Sequence, residues 1–129
     1  MELLEWASTH LRHQDLLKRS IESIQEEQQT LIITHKDKTK DLWLIQEDLD
    51  LSNTQVKGIV TLNTKNNLKK LIKEWSAIKE ADCKIFFANP QTNDRWAIVP
   101  SHHTKIADQK NIKAGLESLA QNTTFVKTS

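Results

Sequence analysis

The sequence predicts an α/β fold, a three-layer sandwich in which a central mixed sheet of five strands lies between helical layers. Three observations predict it. Apolar residues recur at three- and four-residue spacings in an opening, a middle and a closing segment, with charged residues between them, the pattern of helices that bury one face. Short β-branched and aromatic runs stand between those segments, bounded by polar turns. One of these runs, Leu42-Trp-Leu-Ile45, is apolar without alternation, which predicts a strand covered on both faces.

In the opening segment Leu3, Leu4, Ala7 and Leu11, followed by Leu17, Ile21 and Ile24, keep helical spacing. The spacing predicts one helix broken near His13 to Asp15, with Asp15 capping the second piece. Thr30 to Thr34 and Asp41 to Gln46 read as two strands joined by the polar stretch His35 to Lys40. Glu47 to Gln55 is acidic and then rich in Ser, Asn and Thr, a loop, and Gly58 to Asn63 is the third strand. The helix that follows puts Leu68, Leu71, Ile72, Trp75 and Ile78 on one face and leaves Lys69, Lys70, Lys73 and Glu74 outside it. Lys84 to Ala88 is a fourth strand, Asn89 to Asp94 a turn with good hairpin chemistry, and Arg95 to Val99 a fifth strand stopped by Pro100. Asp108 is placed to cap a last helix with Ile112, Leu116 and Leu119 inside. The predicted order is α-β-β-β-α-β-β-α.

With 129 residues, no internal repeat and no Gly-, Ser- or Pro-rich linker, residues 1–129 read as a single domain. Charged residues at 27%, hydrophobic ones at 37% and only two Gly and two Pro exclude a disordered or low-complexity chain. No apolar run approaches the roughly 18 residues of a membrane span, and Met1-Glu-Leu-Leu-Glu5 lacks the pattern of a signal peptide, so the expected place is cytoplasmic, with no membrane partner. One cysteine, Cys83, excludes a disulfide scaffold and a cysteine-based zinc site. The net charge of +1 hides an asymmetry: six Lys or Arg against eleven Asp or Glu through Gln55, then twelve against six from Val56 onward. The basic second half is a candidate for contact with DNA or RNA.

A helix, three strands, a helix and further strands, with Asp41 opening the second strand, resembles the PD-(D/E)xK, or restriction-endonuclease-like, nuclease superfamily. The element order is most similar to the archaeal Holliday-junction resolvases. In that family an Asp at the second strand and a Glu-x-Lys triplet in the third hold Mg²⁺ and position the attacking water. Laid over that pattern, Ile59-Val-Thr-Leu-Asn-Thr-Lys65 puts Thr61 at the Glu position and Asn63 at the Lys position. The motif is Thr-x-Asn, a site with one carboxylate, and the resemblance therefore implies a fold whose nuclease chemistry is lost. No cofactor is expected on this reading, and Mg²⁺ only if a nuclease site is rebuilt.

Other constellations carry less. Glu47, Asp48 and Asp50 with His35 offer an oxygen-rich metal set, and Asp41 with Glu47 and Lys57 a rival nuclease register that fails because Lys57 precedes the third strand instead of facing the two carboxylates. His10 and His13 share a helix face, His102-His103 follow Pro100-Ser101 without a zinc-helix spacing, and Ser101 lacks a nucleophile elbow. Cys83 suits an inert, partly buried thiol. Trp43 and Trp75 read as core, while Trp96 beside Arg95 could stack on a base or pack over its own sheet.

The expected function is a non-catalytic, nuclease-fold protein that binds nucleic acid or serves nucleic-acid metabolism. Lys65, Lys69, Lys70 and Lys73 at the head of the second long helix, with Lys38 and Lys40 in the first hairpin turn, are the candidate phosphate contacts. One alternative is a homodimeric interaction protein that uses a sheet edge and the tryptophans. Another is an active metal-dependent nuclease that combines Asp41 with carboxylates such as Glu5 or Glu47.

Overall fold

A computed structural model describes residues 2–106 and 109–126, with side chains described outside 104–111. The elements are α1 (Leu3–Gln14), β1 (Ile21–Glu27), β2 (Thr30–His35), β3 (Lys40–Gln46), β4 (Gly58–Leu62), α2 (Lys65–Lys73), α3 (Trp75–Ile78), β5 (Lys84–Asn89), β6 (Asp94–Ile98), α4 (Pro100–Ile106) and α5 (Gln109–Gln121). Among the described residues the strands form one mixed sheet in chain order, β1 to β6. β3, β4 and β5 run parallel to one another, and the remaining neighbours are antiparallel. Asp108 lies outside the described residues.

Strand alternation sends successive side chains to opposite faces, and each face has its own core. On one face Leu3, Trp6, Ala7 and Leu11 of α1 pack over Leu31, Ile33, Trp43, Ile45, Val60 and Phe86. On the other, Leu68 and Leu71 of α2, Trp75 and Ile78 of α3, and Ile112, Leu116 and Ala120 of α5 cover Ile59, Ile85, Phe87, Trp96 and Ile98. Each fully buried Leu, Ile or Phe contributes about 1.5–3 kcal/mol, so both layers hold the sheet. Gly58 pairs with Trp43 across the β3–β4 ladder, and a Cβ at residue 58 would run into the indole ring. Only glycine lets the ring lie flat there.

The sheet has six strands where five were expected, because Ile21 to Glu27 forms β1 and not a second piece of the opening helix. Ile21 and Ile24 have helical spacing, but a bulge between Ile21 and Ser23 inserts one residue and returns both isoleucines to the α1 face. Asp15 does not begin a second helix. It closes α1, and its carboxylate accepts hydrogen bonds from the Ser20 hydroxyl at 2.6 Å, the Ser20 amide at 3.0 Å and the Ile21 amide at 2.9 Å, turning the chain into β1. Those bonds, the Ser20 hydroxyl first, hold the Asp15 carboxyl below the usual carboxylate range.

Smaller departures follow from where the helices end. Leu42 is 37% exposed, since α2, α3 and α5 cover β4 to β6 and reach β3 only at Leu44. Leu119 is equally exposed, and Ala120 takes the inner position on α5. The helix expected to run from Leu68 to Ile78 breaks at Glu74 into α2 and α3. Pro100 ends the last strand as expected and then opens α4, where its missing amide proton costs nothing.

Candidate functional site

α2 leaves the C-terminal end of β4 through Thr64, whose hydroxyl accepts the Asn67 amide at 3.1 Å and caps the helix. Leu68 and Leu71 anchor one side of α2 in the core, which turns Lys65, Lys69 and Lys73 outward in a ridge at four-residue spacing. Facing that ridge, α5 presents Lys113. The two helices enclose a groove of about 390 Å³ floored by Leu68, Ile72 and Phe125, with Glu117 the acidic residue in its lining. Among the described residues none of the four lysines lies within 4 Å of a carboxylate. Lys113 was invisible to a reading by local pattern, because only the packing of α5 on α2 brings it to the ridge.

The other candidate lysines are not gathered there. Lys70 reaches back to Glu74 at 3.8 Å, one turn along. Lys38, at a φ of 72° in the β2–β3 turn, is paired with Glu22 of β1 at 2.8 Å. Lys40 opens β3, at the end of the parallel strands opposite to the one from which α2 departs.

Asp41, Thr61 and Asn63 are not brought together. Thr61 pairs with Gln46, five residues along β3 from Asp41, which sets them about 16 Å apart at roughly 3.3 Å per residue. With β1 counted, Asp41 is the second residue of the third strand and Thr61 lies in the fourth.

Thr61 and Asn63 are fully buried and engaged with their own chain. Asn63 accepts the Trp96 indole N–H at 2.9 Å and donates to the carbonyls of Thr123 and Thr124 at 3.3 and 3.2 Å. Its carbonyl accepts the Val126 amide at 2.9 Å. Asn89, at the end of β5, donates to Thr124 and Phe125. Asn67 donates to the carbonyls of Glu47 and Leu62, both at 2.8 Å, and to Thr61 Oγ1 at 3.1 Å, while its own carbonyl accepts the Leu49 amide. The ends of the parallel strands, where open α/β sheets place their ligands, are thus packed with residues 47–49 and 123–126. A buried polar group left unpaired costs about 1–3 kcal/mol, so these bonds are structural as they stand.

Asp41 has a different neighbourhood. Its carboxylate lies 2.7 Å from His35 Nε2, and His35 Nδ1 lies 3.2 Å from the Ser20 hydroxyl. Ser20, His35 and Asp41 therefore have the connectivity of a nucleophile, base and orienting acid, and Lys57 shares their cleft. The single hydroxyl proton of Ser20 goes to Asp15 at 2.6 Å. It is not offered to His35, so the relay ties α1, β1, β2 and β3 together and does not activate Ser20. No local spacing marks this group, because a bulged hairpin assembles it.

The acidic run Glu47, Asp48 and Asp50 does not meet His35, and among the described residues no group of three His, Cys, Asp or Glu is placed to hold a metal ion. The four tryptophans are all buried in the chain's own cores, 2–6% exposed. Trp96 stacks on Phe87 at 4.3 Å and is closed to a base. Cys83 is buried, and that burial pushes its thiol up from the usual range, away from reactivity. Among the described residues no helix is long and apolar enough to cross a membrane.

Comparison with known proteins finds no matching family model, no matching curated protein and no matching solved structure.

Proposed function

We propose that this domain binds nucleic acid through its phosphate backbone without cleaving it, as a degenerate, non-catalytic relative of the restriction-endonuclease-like nucleases acting in the cytoplasm. The observation that carries the reading is the ridge of Lys65, Lys69 and Lys73 facing Lys113 across the α2–α5 groove. Four cationic side chains on two packed helices, without a carboxylate partner among the described residues, gather positive charge of the kind that attracts a polyanion. Lysine offers a point charge and no base-reading fork, so the contact is with phosphates and carries little sequence preference.

The absence of cleavage is supported by Thr61 and Asn63, which are neutral, buried and occupied by their own chain, and by Asp41, which sits about 16 Å from Thr61 and is bonded to His35. The order of a leading helix, antiparallel strands, a parallel strand and then α2 supports kinship with the resolvases. The extra strand β1 is a departure from that pattern.

The test is incubation at low salt with labelled four-way-junction and linear duplex DNA, with and without Mn²⁺. The expected result is a retarded complex with intact DNA in every sample, and a preference for the junction would tie the domain to resolvases. Cleavage that requires Mn²⁺ and is lost in Asp41→Ala would establish a nuclease with a rebuilt site. No complex even at low salt would overturn the reading.

A further inference from the structure

α1 lies on the face of the sheet opposite α2, and between it and the β5–β6 turn is a cleft of about 400 Å³ lined by Trp6, Thr9, His10, His13, Gln14 and Arg95, among others. Its wall is fixed. The Trp6 indole N–H donates to Asn93 Oδ1 at 2.8 Å, pinning the turn to the helix. The Trp6 ring stacks on His10 at 4.8 Å, and His10 meets Phe86 edge-on at 5.1 Å. The volume falls in the range of small-molecule sites, about 300–1,000 Å³.

The charge around the cleft has one sign. Arg95 lines it, no carboxylate does, and Lys84 stands close behind with its ammonium 4.8 Å over the Phe86 ring. Asp94, next in the chain to Arg95, alternates to the other side of β6 and bonds Thr92. Burial, and then Arg95, Lys84 and His13, push His10 down to about 4, so at neutral pH its imidazole is uncharged. His10 Nε2 is hidden from solvent and has no hydrogen-bond partner among the described residues. A concave site with a guanidinium, an imidazole, a hydroxyl, an amide and a fixed aromatic wall is built for a compact anion with more than two oxygens to satisfy.

We propose that this cleft binds a phosphomonoester, its charge held by Arg95 and its oxygens by Thr9, His13 and Gln14, with the ester-bearing group against the His10 ring that Trp6 holds in place. The site is separate from the α2–α5 groove and does not depend on that groove's role. The phosphomonoester could be a free nucleotide or the 5′-phosphate at the end of a nucleic-acid strand.

The experiment is an NMR titration at pH 7 that follows the His10 and His13 imidazoles and the Trp6 indole N–H. The probes are inorganic phosphate, adenosine monophosphate, and a short oligonucleotide with and without a 5′-phosphate. Saturable shifts with adenosine monophosphate, confined to α1 and the β5–β6 turn, are expected. Arg95→Gln, at an exposed position, should keep the spectrum of the folded protein and weaken binding about tenfold or more. Comparison of the two oligonucleotides cancels contacts made by the α2 lysines. Cleft shifts that the 5′-phosphorylated strand gives and the unphosphorylated strand does not identify a strand end as the ligand, and cleft shifts with adenosine monophosphate but with neither strand identify a free phosphomonoester. Shifts that never saturate, that survive Arg95→Gln unchanged, or that map to the α2–α5 groove would overturn the proposal.

Discussion

At the scale of single residues, the informative groups are polar ones whose environment departs from what their neighbours in sequence suggest. His10 is read from the sequence as one of a surface pair with His13, yet it stacks on Trp6, meets Phe86 edge-on and is pushed down to about 4 by burial first and then by Arg95, Lys84 and His13. The unfolded chain takes up a proton at this residue near the ordinary value of 6.5, whereas the folded chain does not until about 4. Its contribution is therefore absent above pH 6.5 and turns against the folded state as pH falls from about 6.5 to about 4, levelling off below. Thermal melting across that window checks this. His10→Phe removes the titrating group while keeping an aromatic ring, and it should flatten the fall in Tm relative to the parent protein; equal slopes would place the acid sensitivity elsewhere.

At the scale of elements, the β1–β2 hairpin is the least conventional piece. Glu27 pairs with Thr30, so Gln28 and Gln29 form a two-residue turn with φ values of 38° and 62°. Such a turn suits the twist of the flanking strands but asks for positive φ at both residues, where Asn and Gly are at ease and Gln is strained. Replacing Gln28-Gln29 by Asn-Gly should stabilise the protein by about 1 kcal/mol, read as a rise in the urea midpoint at constant m. This strained turn also explains why β1 was not legible. The sequence carries no turn signal at Gln28-Gln29, and the bulge gives Ile21 and Ile24 a helical spacing inside a strand. β2 to β6, α1, α2 and α5 were legible because their periodicity or turn chemistry agrees with the packing they adopt.

The same strand edge bears on self-association. β1 pairs on one side with β2, and its exposed residues include Glu22, Glu26 and Glu27. Charged side chains along a strand edge work against pairing with a second copy. The buried tryptophans are likewise withdrawn from any dimer surface.

At the scale of the whole molecule, the sheet separates two surfaces of different chemistry: the lysine ridge of α2 and α5 on one face, and the cleft beneath α1 on the other. The lysines of α2 were legible as candidates because helical periodicity alone turns them outward. Lys113, the partner of Asp41 and the burial of Asn63 were not, since each depends on contacts between segments far apart in the chain. The central claim is that the ridge binds phosphates, and phosphate contacts release counterions, so each one adds about 0.9 to the slope of log affinity against log salt on duplex DNA. The most direct measurement is that slope for the parent protein and for Lys65→Gln/Lys69→Gln/Lys73→Gln, whose changes fall on exposed positions. The account expects weaker binding by the triple variant to every duplex tested and a slope reduced by about three. Equal affinity and an equal slope in the two proteins would contradict it.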